Sequence, residues 1–406
     1  MLYEVPPCGA EEQVAIERVE AVWRDLRFYV AKPKRWMGSV RRVLAAKANQ
    51  SSNSIEGYNI STEDAIAALQ GAAEPTESDW EDWQANLGYR RAMTYVLQLA
   101  NDGDFRYTSD LMRSLHFMMT EHSLEANPGL WRPGPIWVQD SLTGDVVYEA
   151  PDRDVMPGLV DELMVNLSVD DGDSHPLVRA AMAHLNLVLI HPFSDGNGRM
   201  SRCLQSLVLV RRGVLARELC SIEEYLGQPQ NQQRYYQALA AVAQGHWTPS
   251  HSAQTWVRYC LEAHYIQALS VLRRVREAER VWGLLEEIAE QHGLPPRSMD
   301  ALYDASIGLK VRNASYRANV AESLGPISAQ TATSDLGEMV KAGLLVQHGA
   351  KRGTYYLASE GLRDRAVAIR GRRSPITADQ LFVPAPEASN ALPRQPARFE
   401  TAPPAN

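Results

Sequence analysis

His191-Pro192-Phe193-Ser194-Asp195-Gly196-Asn197-Gly198-Arg199-Met200-Ser201-Arg202 is the stretch that decides how this 406-residue chain is read. A mostly apolar run, Leu185 to Ile190, leads into it, and a second, Leu204 to Val210, leaves it. The first reads as the close of a buried helix. The second begins a new helix just past a glycine-rich turn. His191 therefore sits in a loop between two core helices, with Gly196 to Gly198 at the N-terminus of the second.

That placement suits phosphate chemistry. The first turn of a helix offers backbone N–H groups without intrahelical partners and carries partial positive charge. Glycines let an anion approach the backbone closely. Asp195 is a hard oxygen ligand for Mg²⁺, which usually binds through one or two carboxylates and substrate phosphates. Arg199 and Arg202 are three apart on the new helix, share a face, and can fork onto phosphate oxygens. His191 has the free pKa suited to a general base near neutrality. A single His before Pro is usually structural, and a single G-x-G turn marks loops everywhere. Nine specified residues in twelve positions are a different matter, since chance would produce them in roughly one chain in 10⁹. The chemistry implied is attack by a hydroxyl on a nucleotide phosphate.

The segment resembles the active-site motif of the Fic (filamentation induced by cAMP) family, HPFx(D/E)GNGRxxR, at every fixed position. The resemblance spans about residues 45 to 245. It implies a mainly α fold, a helical Fic core with a small β-hairpin flap, and transfer of AMP from ATP to a protein hydroxyl. By resemblance, His191 would deprotonate the acceptor and Asp195 would hold Mg²⁺. Asn197 would position the α-phosphate, and Gly196 and Gly198 would supply backbone N–H groups. Arg199 and Arg202 would bind the outer phosphates. The related Doc toxins, which phosphorylate, carry Lys where Gly198 stands, so Gly198 favours AMP transfer.

Ser51-Ser52-Asn53-Ser54-Ile55-Glu56-Gly57 reads, taken alone, as a helix C-terminus stopped by Gly57. Beside the motif it is similar to the family's inhibitory sequence, (S/T)xxxE(G/N), carried on a helix of about residues 36–57. A Glu56 carboxylate reaching Arg202 would make a charge-assisted pair where the γ-phosphate belongs.

Composition is ordinary for a globular chain: 45% hydrophobic, 22% charged, net charge −8. That balance gives no general attraction to nucleic acid or to an acidic membrane. Cys8, Cys203, Cys220 and Cys260 lack metal-ligand spacing and read as reduced thiols. Glu4 and Pro6-Pro7 interrupt any leader pattern, and no uncharged apolar run reaches membrane-spanning length. A cytoplasmic protein without a membrane partner is the expectation.

In order, residues 1–10 read as an arm and Glu11–Tyr29 as an amphipathic helix. Ser61-Thr62-Glu63-Asp64 reads as a capped helix start. Helices follow over Trp80–Ala100 and Ser109–Glu121, with His116 and His122 read as structural or surface residues. Pro135–Val138 and Val146–Tyr148 flank a turn at Thr143-Gly144 and read as a hairpin, the family's flap, whose edge would align a target segment by strand pairing. Met156–Ser168 and His175–Ile190 are the next helices, with His184 a satisfied core histidine. Gln254–His292 is long, with a break expected between 268 and 280, where Arg273 to Glu277 reads as a solvated charge run.

Beyond residue 280 the pattern is helix, helix, helix, then a hairpin over Gly343–Val346 and Thr354–Leu357, similar to a winged helix-turn-helix. Its third helix, from Ser328 to Lys341, has two acids between Ala329 and Glu338 and no base there, which favours protein contact over DNA. Residues 372 to 406 contain seven prolines and no periodic apolar face, and read as a disordered tail.

The division expected is 1–110, a helical region with the inhibitory helix; 111–245, the catalytic core; 246–279, a helical connector; 280–370, the winged-helix-like domain; and 371–406, the tail. The partner implied is a protein with an acceptor hydroxyl, with self-modification and a homodimer as further expectations from the inhibitory class. Three alternatives stay open: an enzyme that removes AMP or works in both directions, use of another nucleotide, since no base-reading residue is evident, and a DNA-binding regulator with a vestigial core.

Overall fold

A computed structural model describes residues 1–31, 34–72, 74–139, 143–169, 174–213 and 216–384. The fold is mainly helical, with two small antiparallel hairpins. Four helices come first: α1 (Ala10–Val30), α2 (Arg35–Ser54), α3 (Thr62–Leu69) and α4 (Trp80–Leu99). Ala15, Ile16, Val19, Val22, Trp23 and Leu26 form one buried stripe on α1, at the spacing of a single helical face. The Ser61 hydroxyl caps α3 by accepting from the Asp64 N–H at 3.0 Å.

The centre consists of α5 (Ser109–Thr120), a hairpin of β1 (Trp137–Gln139) and β2 (Val146–Glu149), then α6 (Met156–Ser168), α7 (Pro176–Ile190) and α8 (Asn197–Arg211). Thirteen of the fifteen residues in each of α7 and α8 are buried, so this pair is enclosed on all sides and sets the position of everything around it. The hairpin pairs Trp137 with Glu149 and Val138 with Tyr148. Tyr148 anchors it, its hydroxyl donating to the Leu189 carbonyl at 2.6 Å, two residues before His191.

After α9 (Arg217–Cys220), α10 (Glu223–Leu226) and α11 (Pro229–Ala243), helix α12 runs unbroken from Gln254 to Gln291. The break expected between 268 and 280 does not occur, and the boundary expected at 279/280 falls inside a continuous helix. The charge run is a solvated face only in part, with the Arg276 side chain 50% exposed. Arg274 forks onto Glu224, Arg276 pairs with Asp25, and buried Glu277 pairs with Arg373.

The remainder is α13 (Ser298–Ser306), α14 (Asn313–Ser323), α15 (Ala329–Lys341), β3 (Leu345–His348), β4 (Tyr355–Ala358) and α16 (Glu360–Arg370). Val311 joins β4 by an antiparallel bridge to Tyr356. One of the two acids on α15, Asp335, faces inward, held by both arms of Arg297 and by the Tyr316 hydroxyl.

Both ends of the described chain are docked. The expected N-terminal arm is pinned by Tyr3, whose backbone exchanges hydrogen bonds with the Asn186 amide and whose ring meets Trp247 edge-on. The disordered tail expected from 371 does not describe residues 371–384. Leu381 is 1% exposed, and the Arg258 guanidinium lies over the Phe382 ring. The rest of that expectation, 385–406, lies outside the described residues. Among those described, no helix is long and apolar enough to cross a membrane.

Candidate active site

Helix α7 ends at His191, which takes the left-handed conformation (φ 52°, ψ 58°) and turns the chain out of the helix. Its Nδ1 lies 3.0 Å from the Val188 carbonyl. A carbonyl only accepts, so Nδ1 carries the proton and Nε2 keeps its lone pair. Burial lowers the imidazole's pKa, more than the Val188 bond and the Glu56 carboxylate raise it. His191 is thus neutral at neutral pH, the form a general base needs.

The loop after it is held from several sides. Asn197 clasps Phe193, its Oδ1 accepting from the Phe193 N–H at 3.0 Å and its Nδ2 donating to the Phe193 carbonyl at 2.9 Å. The Asn197 amide is thus engaged in shaping the loop at the start of α8. Gly196 caps α8 at φ 78°, which only glycine adopts without strain.

Two further supports are His116, expected to be a structural or surface residue, and Arg132, which sequence reasoning missed. His116 stacks on Phe193 at 3.8 Å, accepts from the Gly129 N–H and donates to the Asp195 carbonyl, each at 3.0 Å. Burial brings it to about 4 and keeps it neutral. Arg132, 1% exposed, donates through Nε to the His191 carbonyl at 3.0 Å, and its other arms reach the Gly134 and Pro151 carbonyls. It therefore ties the loop at His191 to both ends of the hairpin. His116 stands on the buried face of α5 with Met112, Leu115 and Met119, whereas Arg132 belongs to no periodic pattern and its only sequence signal was the irregular segment itself. His184 is the satisfied core histidine expected, bonded to Gln205 and Tyr235.

Asp195 is 47% exposed and pairs with Arg199 at 3.0 Å. Arg199 is fully buried, under the Tyr58 ring at 4.9 Å. Arg202, 1% exposed, binds Glu56 Oε1 at 2.6 Å, the Ser52 hydroxyl at 2.9 Å and the Ser52 carbonyl at 2.8 Å. Burial opposes its charge, but the Glu56 carboxylate, with Tyr235 and Tyr89, outweighs it and raises its pKa. Three of the six guanidinium nitrogens of this pair, Arg199 Nε and Nη1 and Arg202 Nη1, are buried without a hydrogen-bond partner among the described residues. Unpaired buried donors are costly, and here they gather at a helix N-terminus, where an anion would satisfy them.

Glu56 is delivered by the end of α2. The Gly57 N–H bonds to the Ser54 carbonyl, the Tyr58 N–H to the Asn53 carbonyl, and Gly57 sits at φ 95°. This is a Schellman end, with Glu56 in the turn just past Ser54 and before Gly57. The carboxylate lies directly over Gly198: a Cβ there would stand 2.3 Å from Glu56 Oε1 and 3.1 Å from Arg202 Nη1. Glu56, Gly198 and Arg202 thus meet at the start of α8, beside the Asp195–Arg199 pair.

Residues 106–209 match the model of the Fic/DOC family. A protein adenylyltransferase Fic of Nematostella vectensis is 32% identical over 165 residues, 40% of this chain and 36% of that protein. One of Culex quinquefasciatus is 29% identical over 201 residues, 48% of this chain and 36% of its own length. The chain thus spans about a third of the length of these curated relatives. Among solved structures, a Fic family protein of Desulfovibrio desulfuricans G20 is similar over 89% of this chain and 98% of its own, with TM-score 0.51 at 19% identity. A Fic domain containing signaling protein of Bacteroides thetaiotaomicron covers 64% of this chain with TM-score 0.53 at 20% identity. At such identities the structural likeness concerns the fold.

Proposed function

Because residues 106–209 form a Fic/DOC family domain, in a fold shared with Fic proteins, we propose that the chain is a protein adenylyltransferase held in an inhibited state by Glu56. It transfers AMP from ATP to a Ser, Thr or Tyr hydroxyl of a protein. The observation that carries this reading is the cluster of open guanidinium donors at the start of α8, beside a histidine whose Nε2 is free.

The reaction follows from those groups. His191 Nε2 takes the acceptor's proton as its oxygen attacks the α-phosphorus. An O–P bond forms, the bond from the α-phosphorus to the bridging oxygen breaks, and pyrophosphate leaves. The first-turn N–H groups of α8 face the charge on the phosphates. Arg199 and Arg202 bind the outer phosphates bidentately. Asn197 contributes by fixing the loop. The hairpin edge aligns the acceptor segment by strand pairing.

Asp195 is the residue that would hold Mg²⁺. Among the described residues no three His, Cys, Asp or Glu side chains gather at one point. When bound, the ion supplies charge neutralisation on the phosphates.

Glu56 occupies the place of the outer phosphate on Arg202, so ATP is excluded or bound unproductively until α2 shifts. The test is mass spectrometry of Glu56→Gly after incubation with ATP, Mg²⁺ and cell lysate. The expected result is an added AMP on a hydroxyl residue, lost in Glu56→Gly/His191→Ala. No added AMP on any protein, the enzyme included, overturns the reading.

A further inference from the structure

We infer that the C-terminal unit, α13 to α16, is the handle that controls the inhibitory helix, so that whatever binds this unit sets how firmly Glu56 is seated. The inference rests on the reading above for its consequence, but not for its geometry. Helix α2 spans the space between two bodies. Its C-terminal end meets α8 through Ser52 and Glu56. Its N-terminal half is held by the C-terminal unit through ionic contacts. Arg35 pairs with Asp300 on α13 at 3.0 Å. Arg42 pairs with Glu322 on α14 at 3.0 Å and lies 3.8 Å from Asp304 on α13. Arg35 and Arg42 are seven apart and so share a face of α2.

The joint is a committed one. The side chains of Arg42 and Asp304 are 7% and 9% exposed, and Asp304 Oδ1 has no hydrogen bond, so Arg42 is what neutralises it. Separating such a buried pair leaves a charge stranded on each side. The loop after α13 adds an apolar peg: Leu309 packs on the cluster of Ala46 from α2, Ile60 from the loop after it, and Ala65 and Ile66 from α3. Lys310 and Arg312 both reach Glu77, and Asn319 meets Gln70. One rigid helix therefore carries a regulatory contact at each end, roughly 20 Å apart from Arg42 to Glu56 at the helical rise per residue.

Rigid elements with two packed ends transmit a shift at one end to the other. Loss of the α13–α14 contacts frees α2 to rock or fray, and its last turn, which holds Glu56, moves off Arg202. This gives the C-terminal unit a purpose beyond tethering: it reads a partner and reports to the active site through α2.

Hydrogen–deuterium exchange on the full chain tests this with substitutions on the far side of the joint, Asp304→Asn with Glu322→Gln, which leave the sequence of α2 intact. The expected result is exchange at least about tenfold faster over residues 50–57, where Glu56 is seated. Self-labelling with α-labelled ATP should rise roughly tenfold in the same variant, and should not rise further when Glu56→Gly is already present. Unchanged exchange over 50–57, in a variant that melts within a few degrees of the parent, overturns the inference whatever the labelling shows. Labelling of Glu56→Gly alone reports separately on the enzymatic reading.

Discussion

Asp64 and Glu56 are two carboxylates on neighbouring helices, and they are built for opposite purposes. Asp64 lies in the first turn of α3, where a helix attracts negative charge. It accepts five hydrogen bonds from Thr76, Glu77 and Ser78, at 2.7 to 3.0 Å. Glu56 stands in the turn just past the C-terminus of α2, where its own helix repels it, and is held by a different helix through Arg202 and the start of α8. The first carboxylate is satisfied within its own segment and has no cause to leave. The second is seated on borrowed contacts that a polyphosphate would satisfy equally well, and it is 22% exposed where Asp64 is fully buried. A structural acid and a displaceable one are thus told apart by which helix end each occupies.

The largest expected effect breaks the second contact. Glu56→Gly should raise self-labelling from α-labelled ATP by roughly 10²-fold, the equivalent of about 3 kcal/mol for a partly buried charged pair. Glu56→Gln, which keeps one hydrogen bond but no charge, should fall between. Next comes the first contact. Asp64→Ala should cost roughly 3 kcal/mol of stability by denaturant titration and leave labelling at the wild-type level, since the loop donors lose their acceptor without touching α8. Burial raises the Asp64 carboxyl's pKa, but the bonds from Ser78, Thr76 and Glu77 outweigh it and hold the group at about 2, below its unfolded value. A depressed acid stabilises the fold above the unfolded pKa. About 1–2 kcal/mol should therefore be lost as pH falls from about 4 to about 2, and Asp64→Ala should flatten that part of the stability profile.

The smallest effect sharpens where Glu56 sits. Gly198→Ala should cost about 1–2 kcal/mol with Glu56 present, because the new methyl meets the carboxylate. In Glu56→Gly most of that cost should vanish, a coupling a double-mutant cycle reads directly. Equal costs in both backgrounds would place Glu56 elsewhere.

Much of this was legible in the sequence because it is local. The motif fixes the α7–α8 turn, and Gly57 marks the end of α2. The Ser61 cap and the hairpin also carry their own short-range signals. What was not legible depends on distant partners. Tyr3 finds Asn186, Phe382 lies under Arg258 of α12, and Arg132 links the hairpin to the His191 carbonyl, each without a periodic pattern to announce it. The expected break in α12 failed for the same reason: a run of charges looks solvated until Glu224, Asp25 and Arg373 are in place to pair with it. Asn197 shows the limit within the motif itself, since its spacing says where it lies but not that its amide is engaged with Phe193.

The most direct test of the central claim is calorimetric titration of Mg²⁺-ATP and of AMP into the wild-type protein and Glu56→Gly. If the Glu56 carboxylate stands in the place of an outer phosphate, removing it should tighten ATP binding at least about tenfold and leave AMP, which has no outer phosphates, within about twofold. Equal changes for the two nucleotides, or none for ATP, would contradict the account.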